Sequence, residues 1–212
     1  MLEIVTVPVT VFGQNARILY DSESRDAVVV DPGGDVDALI AEIEERQLSL
    51  RAIWLTHSHL DHCAGVAPLL EKFAVPLFAH PEETPMRSQV QRIAAMYGLP
   101  SMDWANCPEP DKLLRGGETT SVGPHEAQVL FVPGHSPGHL AFYFASNGVL
   151  LGGDCLFQGS IGRTDLPGGD HNQLIASIRD SILTLPDETR VLSGHGPDTT
   201  VGFERKTNPF LS

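Results

Sequence analysis

Residues 55–65, LTHSHLDHCAG, set four metal-competent side chains, His57, His59, Asp61 and His62, within six positions, directly behind the apolar run 52–55. A strand that is apolar to its last residue must therefore open straight into a cluster of polar groups, and those groups need a common partner if they are taken out of water. If the strand ending at Thr56 stays extended, His57, His59 and Asp61 alternate onto one side, with His62 turning in behind them. Imidazole and carboxylate are the ligands that zinc and similar divalent ions take, at about 2.0 to 2.2 Å. With no basic residue close by in sequence to pair with Asp61, the cluster points to metal rather than to packing.

Three further polar residues stand where an apolar segment breaks into a glycine loop: His135 in FVPGHSPGH, Asp154 in VLLGGDC and His195 in VLSGHGP. Loops that follow strands are where sites are usually built. Together with the first cluster they give seven candidate ligands, His57, His59, Asp61, His62, His135, Asp154 and His195. One four-coordinate ion needs fewer, so two adjacent divalent ions sharing a bridging carboxylate follow.

The pattern around these motifs is that of an α/β chain. LEIVTVPV, NARILYD and AVVVDPG read as three opening strands, and residues 35–48 place Val36, Leu39, Ile40 and Ile43 at helical spacing. RAIWLT is the next strand, followed by a helix from about Ala64 to Phe73 with Pro68 near its start, and a weakly patterned helix over 82–97. Strands return as QVLFVP, LAFYFA and GVLLGGD. A helix begins near Asp170, with Gln173 as its capping partner and Leu174, Ile175, Ile178 and Ile182 as its buried face; TRVLSGH is a last strand before a short tail. No linker or repeat divides the 212 residues, which predicts a single domain over 1–212.

Composition narrows the function classes. A formal charge of −13 opposes nucleic-acid binding, which draws on basic residues meeting phosphates. No apolar run approaches the ~20 residues of a membrane span, and the start lacks the pattern of a signal peptide. Three widely spaced cysteines argue against a disulfide framework, so the expectation is a cytoplasmic protein with a small-molecule substrate, no membrane partner and an open oligomeric state.

In this order, THSHLDH, GHSPGH, GGD and GHGP resemble the metallo-β-lactamase superfamily, and most closely its short glyoxalase II-like (hydroxyacylglutathione hydrolase-like) members, from about Asn15 to Pro209. The resemblance implies an αββα sandwich of two mixed sheets with helices outside. It also implies that His57, His59 and His135 hold one metal, Asp61, His62 and His195 the second, and that Asp154 bridges them. The ions would be zinc first, with iron or manganese as alternatives. The implied activity is hydrolysis of a glutathione-type thioester such as S-lactoylglutathione by a metal-bridging hydroxide, with Asp61 also orienting the nucleophile. Arg163, in GSIGRTD, matches a basic residue that contacts the glycine carboxylate of glutathione, against which stands a plain surface pair with Asp165.

Departures from the family pattern leave alternatives open. The expectation is of no C-terminal helical domain such as supplies much of the glutathione site in longer glyoxalase II enzymes, and Asp165 stands where those have an aromatic residue. GRTD also resembles persulfide dioxygenases, in which a single iron would be held by His57, His135 and Asp154. Lactonase, nuclease and metal-storage readings rank lower; storage favours closed coordination, which hard ligands on strand-end loops do not suit.

Several residues read as bystanders. Residues 134–138 match G-x-S-x-G, but Pro137 and Gly138 lead into a strand rather than a helix, so Ser136 is not a nucleophile. Cys63 and Cys155 read as small buried hydrophobes. His139 is expected to orient the HSPGH loop, His80 and His125 to be solvated, and His171 to mark a helix start or a substrate-facing loop.

Overall fold

The computed structural model describes residues 1–100 and 104–211. By backbone contacts the chain divides into two compact units, Met1–Leu113 with Val122–His125, and Leu114–Ser121 with Glu126–Ser212. The architecture is α/β, with two mixed sheets and helices.

In the first unit, β1 (Leu2–Val9), β2 (Gln14–Asp21), β3 (Asp26–Val30), β4 (Ser49–Trp54), β5 (Leu77–Ala79) and β6 (Lys112–Leu113) lie in sequence order. The first three pair antiparallel, whereas β3, β4, β5 and β6 run parallel. Parallel neighbours require crossovers, and α1 (Val36–Glu45), α2 (Leu60–Cys63) and α3 (Val66–Lys72) lie in those connections. Ala16, Ile18, Val29 and Ile53 share a core with Leu39 and Ile43 of α1 and with Val66 and Leu69 of α3. The alternate residues Leu19, Val28, Val30 and Trp54 are buried as well, so these strands carry apolar side chains on both faces and show no alternation.

The second sheet takes the order β14-β13-β10-β9-β8-β7. Its strands are β7 (Thr119–Val122), β8 (His125–Phe131), β9 (Leu140–Phe144), β10 (Val149–Gly153), β13 (Arg190–Ser193) and β14 (Thr199–Thr200), while β11 (Leu156–Phe157) and β12 (Ser160–Ile161) form a separate small hairpin. β10 and β13 run parallel, so their carboxyl ends emerge side by side. Val132, Ala141, Leu150 and Val191 form a core with Leu174 of α6 (His171–Ser177) and with Ile178 and Ile182, which continue α6 in a wider π-type turn. Among the described residues, no helix is long and apolar enough to cross a membrane.

The short strands β5, β6 and β7 and the β11–β12 hairpin go beyond the sequence expectation, and local structure departs from it in three further places. The 82–97 segment is not one helix but a 3-10 turn, Pro81–Glu83, followed by α4 (Thr84–Arg87) and α5 (Val90–Met96), with Gln89 out of helical geometry between them. The 64–73 helix is preceded by the extra turn α2, and Pro68 sits three residues into α3, where its missing N–H costs no helical bond. The tail after TRVLSGH is β14 and then α7 (Val201–Thr207), whose start is capped by Thr200 accepting the Phe203 N–H at 3.2 Å.

The start of α6 is as the sequence predicts: Asp170 Oδ1 accepts the Gln173 N–H at 3.0 Å. Asp170→Ala should cost about 1 kcal/mol, seen as a lower urea midpoint at unchanged slope; an unchanged midpoint would show that the cap contributes nothing.

Candidate metal centre

In the first unit the candidate residues collect at the carboxyl ends of parallel strands, where an α/β sheet places its functional loops. β3 ends at Val30 opposite Trp54 of β4, and the Asp31 N–H donates to the Trp54 carbonyl at 3.0 Å, so Asp31 stands beside the start of the THSHLDH segment. Asp31 holds a left-handed backbone, φ 52°, uncommon for a residue with a side chain. Its carboxylate accepts the Thr56 N–H at 2.7 Å, the Thr56 hydroxyl at 2.6 Å and the His62 ring Nδ1–H at 3.0 Å.

These bonds fix protons. The single hydroxyl hydrogen of Thr56 goes to Asp31, so at the 3.1 Å contact between Thr56 Oγ1 and His57 Nδ1 the ring is the donor. His57 therefore carries its proton on Nδ1 and leaves Nε2 unprotonated, and His62 does the same through Asp31. Imidazoles held through one nitrogen with the other bare are the state in which histidine binds metal.

The segment does not stay extended through the motif. His59 is the last extended residue, φ −63° and ψ 153°, and Asp61 and His62 lie on α2. Gly33 permits this: a Cβ there would come 1.5 Å from the Asp61 carbonyl oxygen. The turn brings the rings together, with His57 Nε2 3.1 Å from His59 Nδ1 and the His57 and His62 centroids 4.0 Å apart. Donor atoms around one tetrahedral ion at about 2.0 to 2.1 Å stand about 3.3 Å apart, so the His57 and His59 nitrogens are spaced as two ligands of one ion. His57, His59 and His62 are buried, and Asp61 keeps 17% of its side chain exposed, its Oδ2 4.0 Å from His62 Nε2. Asp31, His57 and His62 also form a compact trio of ligand atoms, but both Asp31 oxygens are engaged, and its part is to aim His62.

A second buried carboxylate grips the same segment. Glu83, behind β5, accepts the Ser58 N–H at 2.8 Å. Asp31 and Glu83 thus hold the backbone at positions 56 and 58, on either side of His57.

In the second unit, Asp154 and His195 follow the adjacent ends of β10 and β13. The ladder slips between Leu151 and Gly153, and Gly153 turns with φ 52°, a bulge that re-aims the next side chain. Asp154 Oδ2 lies 3.5 Å from His195 Nε2 and 3.7 Å from His135 Nε2, too long for hydrogen bonds and close to the spacing of donors on one ion. His135 Nδ1–H donates to the Arg163 carbonyl at 2.7 Å, so here too the unprotonated nitrogen is Nε2. The donor chemistry in both units, imidazoles of which His57, His62 and His135 are held through Nδ1, with carboxylates nearby, fits divalent metal.

The other residues sort clearly. Arg163 makes a two-pronged pair with Asp165, both bonds 2.7 Å, with 60% and 66% of the side chains exposed. Ser136 is buried in a loop that leads into β9, not into a helix. Burial pushes the Cys63 thiol well up, with neighbouring Cys107 adding to the effect; burial likewise raises the Cys155 thiol, with Asp154 adding to it, so neither offers a thiolate. His171 opens α6 and is exposed. His80 and His125 are not the solvated residues expected. His80 is buried, and its Nδ1 accepts the Glu82 N–H; His125 lies 3.0 Å from Asp21, whose carboxyl is held far below the usual range by the Ser24 N–H first and His125 second.

The sequence matches the Metallo-beta-lactamase superfamily over residues 9–195. The chain belongs to that superfamily. It is 39% identical to the hydroxyacylglutathione hydrolase GloC of Haemophilus influenzae, over 100% of this chain and 99% of that protein. Among solved structures, the BLEG-1 B3 metallo-beta-lactamase is 40% identical with a TM-score of 0.90, covering 99% of this chain and 100% of that one. TTHA1623 in a di-iron-bound form is 41% identical with a TM-score of 0.89, covering 98% and 100%. The superfamily makes the chain a metallo-hydrolase.

Two outcomes follow from this geometry. Thr56→Val keeps the shape but removes the hydroxyl that fixes the His57 tautomer, and should weaken zinc binding about tenfold in chelator competition; unchanged affinity would show the relay to be idle. The Arg163 fork lowers the Asp165 pKa to about 2. Since folding lowers this pKa, the pair's stabilisation is complete above the unfolded value of about 3.9 and is lost as pH falls through about 2. In carboxyl-carbon NMR, Arg163→Ala should return the Asp165 midpoint toward 3.9; a midpoint that stays low would assign the shift to another group.

Proposed function

We propose that the chain is a two-metal thioesterase acting on glutathione-type thioesters such as S-lactoylglutathione. His57, His59 and His135 would serve one ion, Asp61, His62 and His195 the other, and Asp154 both. The observation that carries this reading is the full-length similarity to GloC, named a hydroxyacylglutathione hydrolase, in a chain where His57, His62 and His135 are each held through Nδ1. The di-iron form of TTHA1623 supports two ions and keeps iron beside zinc as the resident metal.

Bound divalent ions would lower the pKa of water to about 7 and polarise the acyl carbonyl. The chain's own part is orientation. Asp31 and Thr56 hold protons on the far side of His62 and His57, and the Arg163 carbonyl does so for His135, so none of these rings turns away. Asp61, partly open, would orient the attacking water through its carboxylate. In the net reaction water adds to the acyl carbon, the C–S bond breaks, and the products are a carboxylate and a thiol. A thiolate leaves readily, so no strong general acid is required of the chain. Arg163 would meet a substrate carboxylate only by exchanging Asp165 for it.

The test is metal analysis of protein purified without added metal, beside thiol release from S-lactoylglutathione and oxygen uptake with glutathione persulfide. Two ions and thiol release are expected. A single iron with oxygen uptake would replace this reading by the persulfide dioxygenase one. Asp154→Ala should lose both ions and His195→Ala mainly one; equal loss from the two variants would remove Asp154 as the bridge.

A further inference from the structure

We propose that His139 is a positioning residue for Asp154, holding the carboxylate at its ligand position through the backbone; this rests on Asp154 being a metal ligand. Asp154 follows the slip in β10, so its N–H leaves the regular ladder at a point where the residue is buried. A buried N–H requires an acceptor. His139 supplies it: its Nε2 accepts the Asp154 N–H at 3.1 Å. As an acceptor at Nε2, the ring carries its proton on Nδ1.

The ring stands on a rigid base. His139 is completely buried, its carbonyl accepts the Val132 N–H at 2.9 Å, and β9 begins at the next residue. β9 pairs with β10 through Phe142 and Leu151, so the acceptor and the strand that carries Asp154 share one ladder. The same ring meets His135 edge-on, with centroids 6.0 Å apart and planes at 83°. One side chain therefore ties the GHSPGH loop, which carries His135, to the GGD loop, which carries Asp154. The residue expected from sequence to orient its own loop would thus also position the next one.

A bond to the backbone fixes where the Asp154 main chain turns, and with it the direction in which Oδ2 points toward His135 and His195. Because Asp154 would serve both ions, loosening it should weaken both binding steps together, unlike the loss of a ligand to one ion. Glutamine can place Oε1 where Nε2 stands and accept the same N–H; leucine fills the space and accepts nothing.

The experiment titrates metal-free wild type, His139→Gln and His139→Leu with Zn2+ against a chromophoric chelator. Ile182→Ala, a buried truncation in the same unit, serves as a stability control, and thermal melts are recorded for all four. His139→Leu should bind both equivalents about ten- to a hundredfold more weakly, and His139→Gln should stay within about threefold of wild type. Ile182→Ala should melt earlier with zinc affinity unchanged. Wild-type affinity in His139→Leu, or equal weakening in folded His139→Gln and His139→Leu, would overturn the proposal, as would a loss of affinity in Ile182→Ala as large as in His139→Leu. Wild-type protein that binds no zinc would overturn the metal reading and this proposal with it, a result distinct from zinc binding that is indifferent to position 139.

Discussion

A buried imidazole can aim a bare nitrogen in one direction only while its other nitrogen is held by an acceptor, and the Asp31 carboxylate is where this constraint converges. It takes the Thr56 N–H, the Thr56 hydroxyl and the His62 ring proton, and through Thr56 it decides the proton position on His57. Such a group is costly to bury and is stable only when its oxygens are satisfied. The parallel pairing of β3 with β4 makes that possible, because it brings residue 31 beside residue 56 at the sheet edge. The twofold apolar burial of these strands serves the same end: a rigid, dry base on which one carboxylate can fix two rings.

The second sheet meets the requirement with backbone rather than charge. Parallel β10 and β13 bring Asp154 and His195 out together, a bulge at glycine turns the carboxylate, and a main-chain carbonyl, that of Arg163, fixes the His135 ring. Main-chain acceptors are available wherever a loop passes close, so this solution depends on loop path more than on residue type. That is why glycine crowds the GHSPGH, GGD and SIGR segments.

The motifs that carry the candidate ligands were legible in the sequence because each places polar side chains where an apolar strand ends, a local pattern that needs no partner to be seen. Asp31, at a strand end, and Glu83, in the 3-10 turn after β5, were not, for a physical reason: each is a single carboxylate, identical in sequence to many solvated ones, and its role arises from a segment 25 residues away. A hint lay in VVVDPGG, where an aspartate closes a fully apolar strand. His80 likewise looked solvated because burial is decided by the β5 crossover and not by its neighbours. The longer strands followed from β-branched apolar runs bounded by turn residues, and the α6 cap from capping chemistry; the short strands, the break between α4 and α5 and the folding of the tail into β14 and α7 came from tertiary packing, which outweighs weak local preference.

Two whole-length relatives named for different chemistry, a hydroxyacylglutathione hydrolase and a B3 metallo-beta-lactamase, are 39% and 40% identical to this chain. On the proposed reading, groups sealed in the interior would touch ions and backbone, so they could serve hydrolysis but could not read the remote parts of a substrate. Selection would then fall to exposed groups, and the fork between Arg163 and Asp165 is one such pair. Both side chains are open to solvent, so exchanging Asp165 for an equivalent carboxylate on a substrate would be close to neutral. A contact of that kind would add little affinity of its own. It would discriminate by position, since only a substrate that sets its carboxylate on the guanidinium while its carbonyl reaches the candidate ligands would recover what the broken pair gave up.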